Sequence, residues 1–268
     1  MKHALKILVV GATGSVGRLV VEEALQAGHT VRALVRDSRR AERLSAQAER
    51  VVGDLTQPDT LKAAVEGVDA IVFTHGGDGE GKIGSERVNY GGVRNILAAL
   101  RGRVVRVALM TTVGATERKG SYNRTTEAHD WKRRGERLLR ASGLPYTIVR
   151  PGWFDYQAKD QNKIVMRQGD TYHAGNPSDG VIARRQIAQV LVSSLSLEAA
   201  LSKTLELAAE RGTAQSNLEP LFAALQADAP GAIDGCLDIP NMPLEDEPER
   251  VLADLRQLSR HPSRTTAP

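Results

Sequence analysis

Short apolar runs alternate with amphipathic stretches from Lys6 to about residue 210. Lys6–Val10, Thr30–Val35, Arg50–Val52, Ala70–Thr74, Val104–Thr111, Tyr146–Arg150 and Thr204–Ala208 have the length and composition of strands. Between them the apolar positions fall at helical spacing. Val16, Leu19, Val20 and Ala24 form one stripe over Gly14–Ala27, and Gly28 is placed to end that helix. Leu61–Glu66 is closed by Gly67, and Ser85 is an N-cap candidate for a helix carrying Val88, Gly92, Ile96 and Leu100. Glu127–Ala141 and Gln186–Leu195 complete the helices of this part. Strand–helix alternation of this kind predicts an α/β fold, a doubly wound parallel sheet with right-handed crossovers.

The alternation breaks at Pro151. Residues 151–185 are rich in turn formers and aromatics and read as a substrate-binding insertion within a domain of residues 1–212. Residues 213–268 read as a C-terminal helical extension. It holds a helix over Glu219–Gln226, a turn-rich stretch Pro230–Pro243 and a last helix over Pro248–Arg260. Val251, Leu252, Leu255 and Leu258 give that last helix an apolar stripe, which must dock either on the chain itself or on a partner. The final eight residues read as a frayed end.

Composition narrows the function. At 268 residues with 41% hydrophobic residues, the chain can bury a core without a disulfide or metal staple. A single Cys236 suits a reducing compartment, and no run of about 18 apolar residues is present, so a soluble cytoplasmic protein is expected. The 36 basic and 32 acidic residues leave a net charge of +4, a poor case for nucleic-acid binding. Basic residues cluster at 32–50 and 118–140; such clusters are usually solvated faces, but a small anionic ligand explains the first more economically and the second offers a surface to a protein partner. The six histidines show no paired ligand spacing, which argues against a metal site. Neither a nucleophile elbow nor a triphosphate-binding loop is found.

The chemistry concentrates in Gly11-Ala12-Thr13-Gly14-Ser15-Val16-Gly17, between the first strand and the first helix. Glycines there allow a tight turn and let backbone N–H groups approach a pyrophosphate at the positive end of the helix dipole. The bland alternative is a turn kept small for strand–helix packing. About 20 residues further on, an acidic side chain would accept from the 2′-hydroxyl of NAD. Arg36 stands there instead, with Arg39, Arg40 and Arg43 adding positive field. A guanidinium pairs with a 2′-phosphate, so NADP (NADPH) is expected over NAD, although Asp37 is adjacent to Arg36 and able to meet a ribose. Asp54, followed by Leu55, is placed either to bond the adenine amino group or to cap a turn.

The loop, Arg36-Asp37, Gly53-Asp54-Leu55 and the run Ser142-Gly143-Leu144-Pro145-Tyr146-Thr147-Ile148-Val149-Arg150-Pro151-Gly152 resemble the atypical short-chain dehydrogenase/reductases. The branch is the NmrA-like and biliverdin-reductase-B-like one, and the resemblance spans residues 5 to 210. It implies a Rossmann-like sheet holding NADP through Gly11, Thr13, Gly14, Ser15, Val16, Gly17, Arg36, Asp54 and Leu55. Thr74, His75 and Gly76 after the fourth strand, and Pro151, Gly152, Trp153 and Phe154 after the sixth, would line the nicotinamide half.

The resemblance also assigns catalytic places. Lys132 fits the family lysine and Thr112, or its neighbour Thr111, the family hydroxyl. Four residues before Lys132, where the family carries its proton-donating Tyr, stands Ala128. Tyr122, His129, Tyr156 and His75 are the candidate substitutes. Trp153, Phe154 and Tyr156 would wall an acceptor pocket or simply cover the sheet's open end, and Gly76, Gly77, Gly79, Gly81 and Gly84 suit a lid or a plain loop. The implied activity is NADPH-dependent hydride transfer to a small conjugated acceptor of quinone, flavin or carbonyl type, chemistry that can do without a dedicated acid. The alternative is a non-catalytic NADP(H)-binding redox sensor. A homo-oligomer, or a protein partner held through the C-terminal tail, fits either reading.

Overall fold

β1 (Lys6–Val10) lies between β2 (Thr30–Val35) and β4 (Ala70–Phe73) and runs parallel to both. Its side chains alternate between faces: Ile7 and Val9 join one apolar cluster, Leu8 and Val10 the other. In this computed structural model, which describes residues 4–260 apart from the side chains of Ser38, Arg40, Asp78 and Arg260, eight strands form one sheet. The frayed end expected at 261–268 lies outside the described residues. β3 is Glu49–Val52, β5 Arg106–Met110 and β6 Tyr146–Pro151. β7 (Trp153–Phe154) and β9 (Val181–Ile182) pair separately, while β8 (Lys163–Arg167) and β10 (Lys203–Glu210) complete the order β3-β2-β1-β4-β5-β6-β10-β8. All strands of the large sheet are parallel except β8, which runs antiparallel to β10. The doubly wound, Rossmann-like sheet expected from the sequence is therefore present.

Helices cover both faces. α1 (Ser15–Gln26) packs with α7 (Arg184–Ser194) on one side, where Val16 and Val20 share a cluster with Ile187 and Leu191. α2 (Lys62–Val65), α4 (Gly91–Leu100) and α6 (Ala128–Ala141) cover the other, with Val93, Ile96 and Leu138 in the second cluster. α3 (Gly81–Gly84), a π-helical turn over Ser85–Tyr90 and α4 run on from one another. Ser85 therefore sits buried inside a continuous helix and is no N-cap, correcting the sequence reading. The π turn holds Asn89 and Tyr90 inward, and the Asn89 Oδ1 accepts from the Gly77 N–H at 2.9 Å, which fastens part of the glycine-rich segment.

The larger correction concerns the basic stretch 118–140. Arg133, Arg134, Arg137 and Arg140 are buried rather than solvated. Arg137 follows Arg133 and Arg134 by four and three residues and Arg140 follows Arg137 by three, so they share one side of α6 and meet carboxylates from the residues beyond 212. Arg137 pairs with Asp234 and Glu247, both at 2.7 Å, Arg134 with Glu247 at 2.6 Å and Arg140 with Asp228 at 3.1 Å. α8 (Glu219–Ala223) follows α7 and β10, and the described residues end on α9 (Glu249–Arg260). Val251 and Leu255 of α9 are buried in the cluster that holds Trp131 of α6, so the stripe docks on its own chain. The surface offered at 118–140 to a partner is largely occupied by the tail.

Candidate active site

The glycine turn is held by contact distances. Gly11 has a φ of +83°, and a Cβ on it would lie 2.8 Å from the His75 nitrogen; a Cβ on Gly17 would lie 2.1 Å from the Gly11 oxygen. The loop can thus press against the end of β4, where Thr74 Oγ1 donates to the Val10 carbonyl at 3.0 Å. α1 begins at Ser15, and by helix geometry its first-turn N–H groups have no intrahelical acceptor. Val16 and Gly17 are buried behind the turn, so what they can offer a ligand is their backbone N–H.

A cleft of ≈ 320 Å³ opens above this turn, at the ends of β1, β2 and β4 where the strand order reverses. It brings together Gly11, Thr13, Gly14, Arg36, Asp54, Leu55, Thr74, His75 and Gly76. Asp37 does not line it: its Oδ1 accepts from the Arg39 N–H at 2.9 Å and caps a short 3-10 helix. Asp54 caps a turn, its Oδ1 accepting from the Thr56 N–H and hydroxyl, each at 2.8 Å, and it also lines the cleft. The cleft suits an extended anionic nucleotide: glycine backbone at one end, a guanidinium at the other.

A second cavity of ≈ 660 Å³ lies past the ends of β5 and β6. Thr112, Pro151, Gly152, Trp153, Phe154 and Tyr156 line it, with Tyr156 edge-on to Trp153 at 5.9 Å between ring centroids. Lys132 lines a small pocket with His75, Asn89 and Thr111 and does not border the cavity that Thr112 faces. The hydroxyls of the two threonines diverge. Thr111 Oγ1 donates to buried Glu136 at 2.6 Å, whereas Thr112 Oγ1 donates to the Val113 carbonyl at 3.0 Å, at the cavity wall.

Ala128 is fully buried at the start of α6, and its methyl side chain has no proton to donate. Of the substitutes, Tyr122, His129 and Tyr156 line the second cavity, and His75 lies at the cleft. His129 lies tilted against Tyr122 with ring centroids 5.5 Å apart, its Nδ1 3.2 Å from the Glu117 carbonyl. The cavity also holds His173, missed by the sequence reading. Its Nδ1 is 3.5 Å from Glu117 Oε2 and its Nε2 is 3.7 Å from Asp170 Oδ2. Asp170 is fully buried and accepts from the Gly114 and Thr116 N–H groups at 2.6 and 2.7 Å, fixing the cavity wall. Residues 114 and 170 are too far apart in sequence for spacing to pair them.

Arg150, also missed, precedes the lining pair Pro151-Gly152 and is fully buried among three carboxylates. It donates to Glu136 at 3.0 and 2.6 Å, to Asp238 twice at 2.7 Å and to Glu206 at 3.3 Å. Burial pushes the Glu206 carboxyl up, with Arg150 offsetting part of the effect, to about 7. Burial works the same way on Asp238, but there the bonds from Arg150 override it and hold the carboxyl well below its usual range.

A model of the NAD(P)H-binding family matches residues 11–198, which contain the cleft-lining turn and most of the second cavity. The chain belongs to that NAD(P)H-binding family. The match takes in the glycine turn and the run 142–152, which carry the resemblance to the atypical, NmrA-like short-chain dehydrogenase/reductases. It is 30% identical over 244 residues to an uncharacterised chloroplastic protein of Arabidopsis thaliana, covering 81% of this chain and 74% of the relative. It is 27% identical over 262 residues to sanguinarine reductase of Eschscholzia californica, covering 82% of this chain and 95% of the relative. Among solved structures, an anaerobillin reductase from Escherichia coli O157:H7 superposes with a TM-score of 0.60 at 22% identity, over 76% of this chain and 96% of that one, a likeness of fold. Among the described residues of this NAD(P)H-binding protein, no helix is long and apolar enough to cross a membrane.

Proposed function

We propose that the protein is an NADPH-dependent reductase that passes a hydride to a small conjugated acceptor, of quinone, flavin or carbonyl type, in the cytoplasm. The observation that carries this reading is the pairing of sites along one sheet edge: an anion-suited cleft at β1, β2 and β4, and an aromatic cavity at β5 and β6. Gly11, Thr13, Gly14 and the first-turn amides of Ser15, Val16 and Gly17 hold the pyrophosphate. Arg36 meets the 2′-phosphate; the capping role of Asp37 leaves no competing carboxylate from residue 37 in the cleft. Asp54 and Leu55 border the adenine side. Thr74, His75 and Gly76, with Pro151, Gly152, Trp153 and Phe154, border the nicotinamide, and Lys132 bonds its ribose. When bound, the cofactor supplies the hydride.

Trp153 and Tyr156 present ring surface to a planar acceptor, and Thr112 borders the reacting face. Tyr122, His129, Tyr156 and His173 are the side chains at the cavity wall able to donate a proton. An acceptor whose reduced form is a weak base needs little from them, which suits Ala128 at the tyrosine place. Residues 1–212, with the insertion at 151–185, form the catalytic unit in this reading, and residues 213–268 brace it. Fluorescence titration with NADPH and NADH, followed by turnover on quinones, flavins and aldehydes, tests the proposal; tight NADPH binding with acceptor-dependent oxidation is expected. Buried Ala128 favours a second reading, a non-catalytic NADP(H) sensor, which predicts tight binding and no turnover across the panel.

A further inference from the structure

Arg184 opens α7, yet its side chain serves two other elements. Its Nε donates to Ser15 Oγ at 3.0 Å, at the first residue of α1. Its Nη1 is paired with the Asp155 carboxylate, whose other oxygen accepts from the Arg184 N–H at 3.1 Å. The guanidinium carbon lies 5.1 Å from the centroid of the Phe154 ring. Nη2 makes no hydrogen bond among the described residues. The packing of α7 on α1 does not need this side chain, being held by the apolar cluster and by Arg185, which pairs with Glu22 at 3.2 Å.

The placement is electrostatically unfavourable in itself. The start of a helix carries about half a positive charge, which favours anions and disfavours cations within the first turn. Here a guanidinium sits on the first residue, compensated by Asp155, itself held at a φ of +60°, a left-handed conformation that non-glycine residues adopt at a cost. An anion at the glycine turn removes the conflict, because the α1 amides and Arg184 then face the same negative charge.

We infer that Arg184 is a second cationic contact for the cofactor's pyrophosphate, and that this contact couples cofactor binding to the aromatic segment Trp153–Tyr156 at the acceptor cavity. The inference rests on the cofactor reading above. Arg184 addresses the pyrophosphate, which NADPH and NADH share; Arg36 addresses the 2′-phosphate, which NADPH alone carries. On binding, the guanidinium trades the Asp155 carboxylate for phosphate oxygens and stays against Phe154.

The test is fluorescence titration of the full chain with NADPH and NADH over a range of salt concentrations. Loss of a charge-assisted contact in Arg184→Gln should raise Kd about tenfold for both cofactors alike and flatten the salt dependence. Asp155→Asn removes the competing carboxylate and should tighten both about two- to threefold, the direction opposite to structural damage. In hydrogen exchange, oxidised cofactor at saturation should protect residues 150–157 in the wild type and much less in Arg184→Gln. Wild-type affinity in Arg184→Gln for either reduced cofactor overturns the inference, as does weakening by Asp155→Asn as large as that by Arg184→Gln. A wild type that binds neither cofactor overturns the cofactor reading itself, a different and separable result.

Discussion

The Asp238 carboxylate and the Arg150 guanidinium face each other through two bonds of 2.7 Å, joining the tail to the residue before Pro151. Because Arg150 retains Glu136 and Glu206, removing Asp238 leaves a guanidinium that is still partly compensated. Asp238→Ala should destabilise by about 2 kcal/mol, less than the full loss of a buried pair. Denaturant unfolding measures this; a change under about 0.5 kcal/mol would mean the pair is solvated.

Glu206 gives a pH signature. Burial lifts its carboxyl out of the ordinary carboxylate range to about 7 in the folded protein. A raised value means that this group's contribution is fully present below the unfolded value and is lost as pH rises through 7. Glu206→Gln keeps the neutral form at every pH, so its stability relative to wild type should rise from pH 5 to pH 8. Paired thermal melts at the two pH values check the sign; a constant difference would place Glu206 in the ordinary carboxylate range.

Arg36→Ala separates the two cofactors. NADPH should weaken at least about tenfold and NADH by less than about twofold, because the bond lost is to a group that NADH lacks. Equal losses by fluorescence titration would remove Arg36 from the 2′-phosphate.

A chain ending at residue 212 should fail to fold. Arg133, Arg134, Arg137 and Arg140 would lose Asp228, Asp234 and Glu247, leaving buried guanidiniums uncompensated on α6. Circular dichroism and solubility decide; a soluble, cooperatively melting product would show that the tail is dispensable.

What could be read in the sequence was local. The strands of the parallel sheet announced themselves by apolar runs, and the glycine turn by its position between β1 and α1, since both depend on residues close in the chain. The Asp170–His173 wall and the arginine network depend on partners far away. Asp170 meets Gly114 across 56 residues, and Arg137 meets Glu247 across 110. A run of arginines looks solvated until the opposing acids are found, so the basic stretch read as a surface. Strand β8 hid within an irregular segment because an antiparallel partner to β10 needs no crossover helix to signal it. Ser85 misled for a related reason: the π turn lets the helix begin earlier, at Gly81.

The buried arginine face of α6 also fixes what can be exchanged. Any chimera that gives this chain another C-terminal segment inherits four guanidiniums, of which Arg140 alone keeps an ion pair, with Glu136 at 3.5 Å. The graft must then either carry acids at the places of Asp228, Asp234, Asp238 and Glu247 or replace the arginines, and Arg150 with them, by apolar residues of similar volume. Helix α6 and the tail are in that sense one transplantable part, although more than a hundred residues of chain separate their ends.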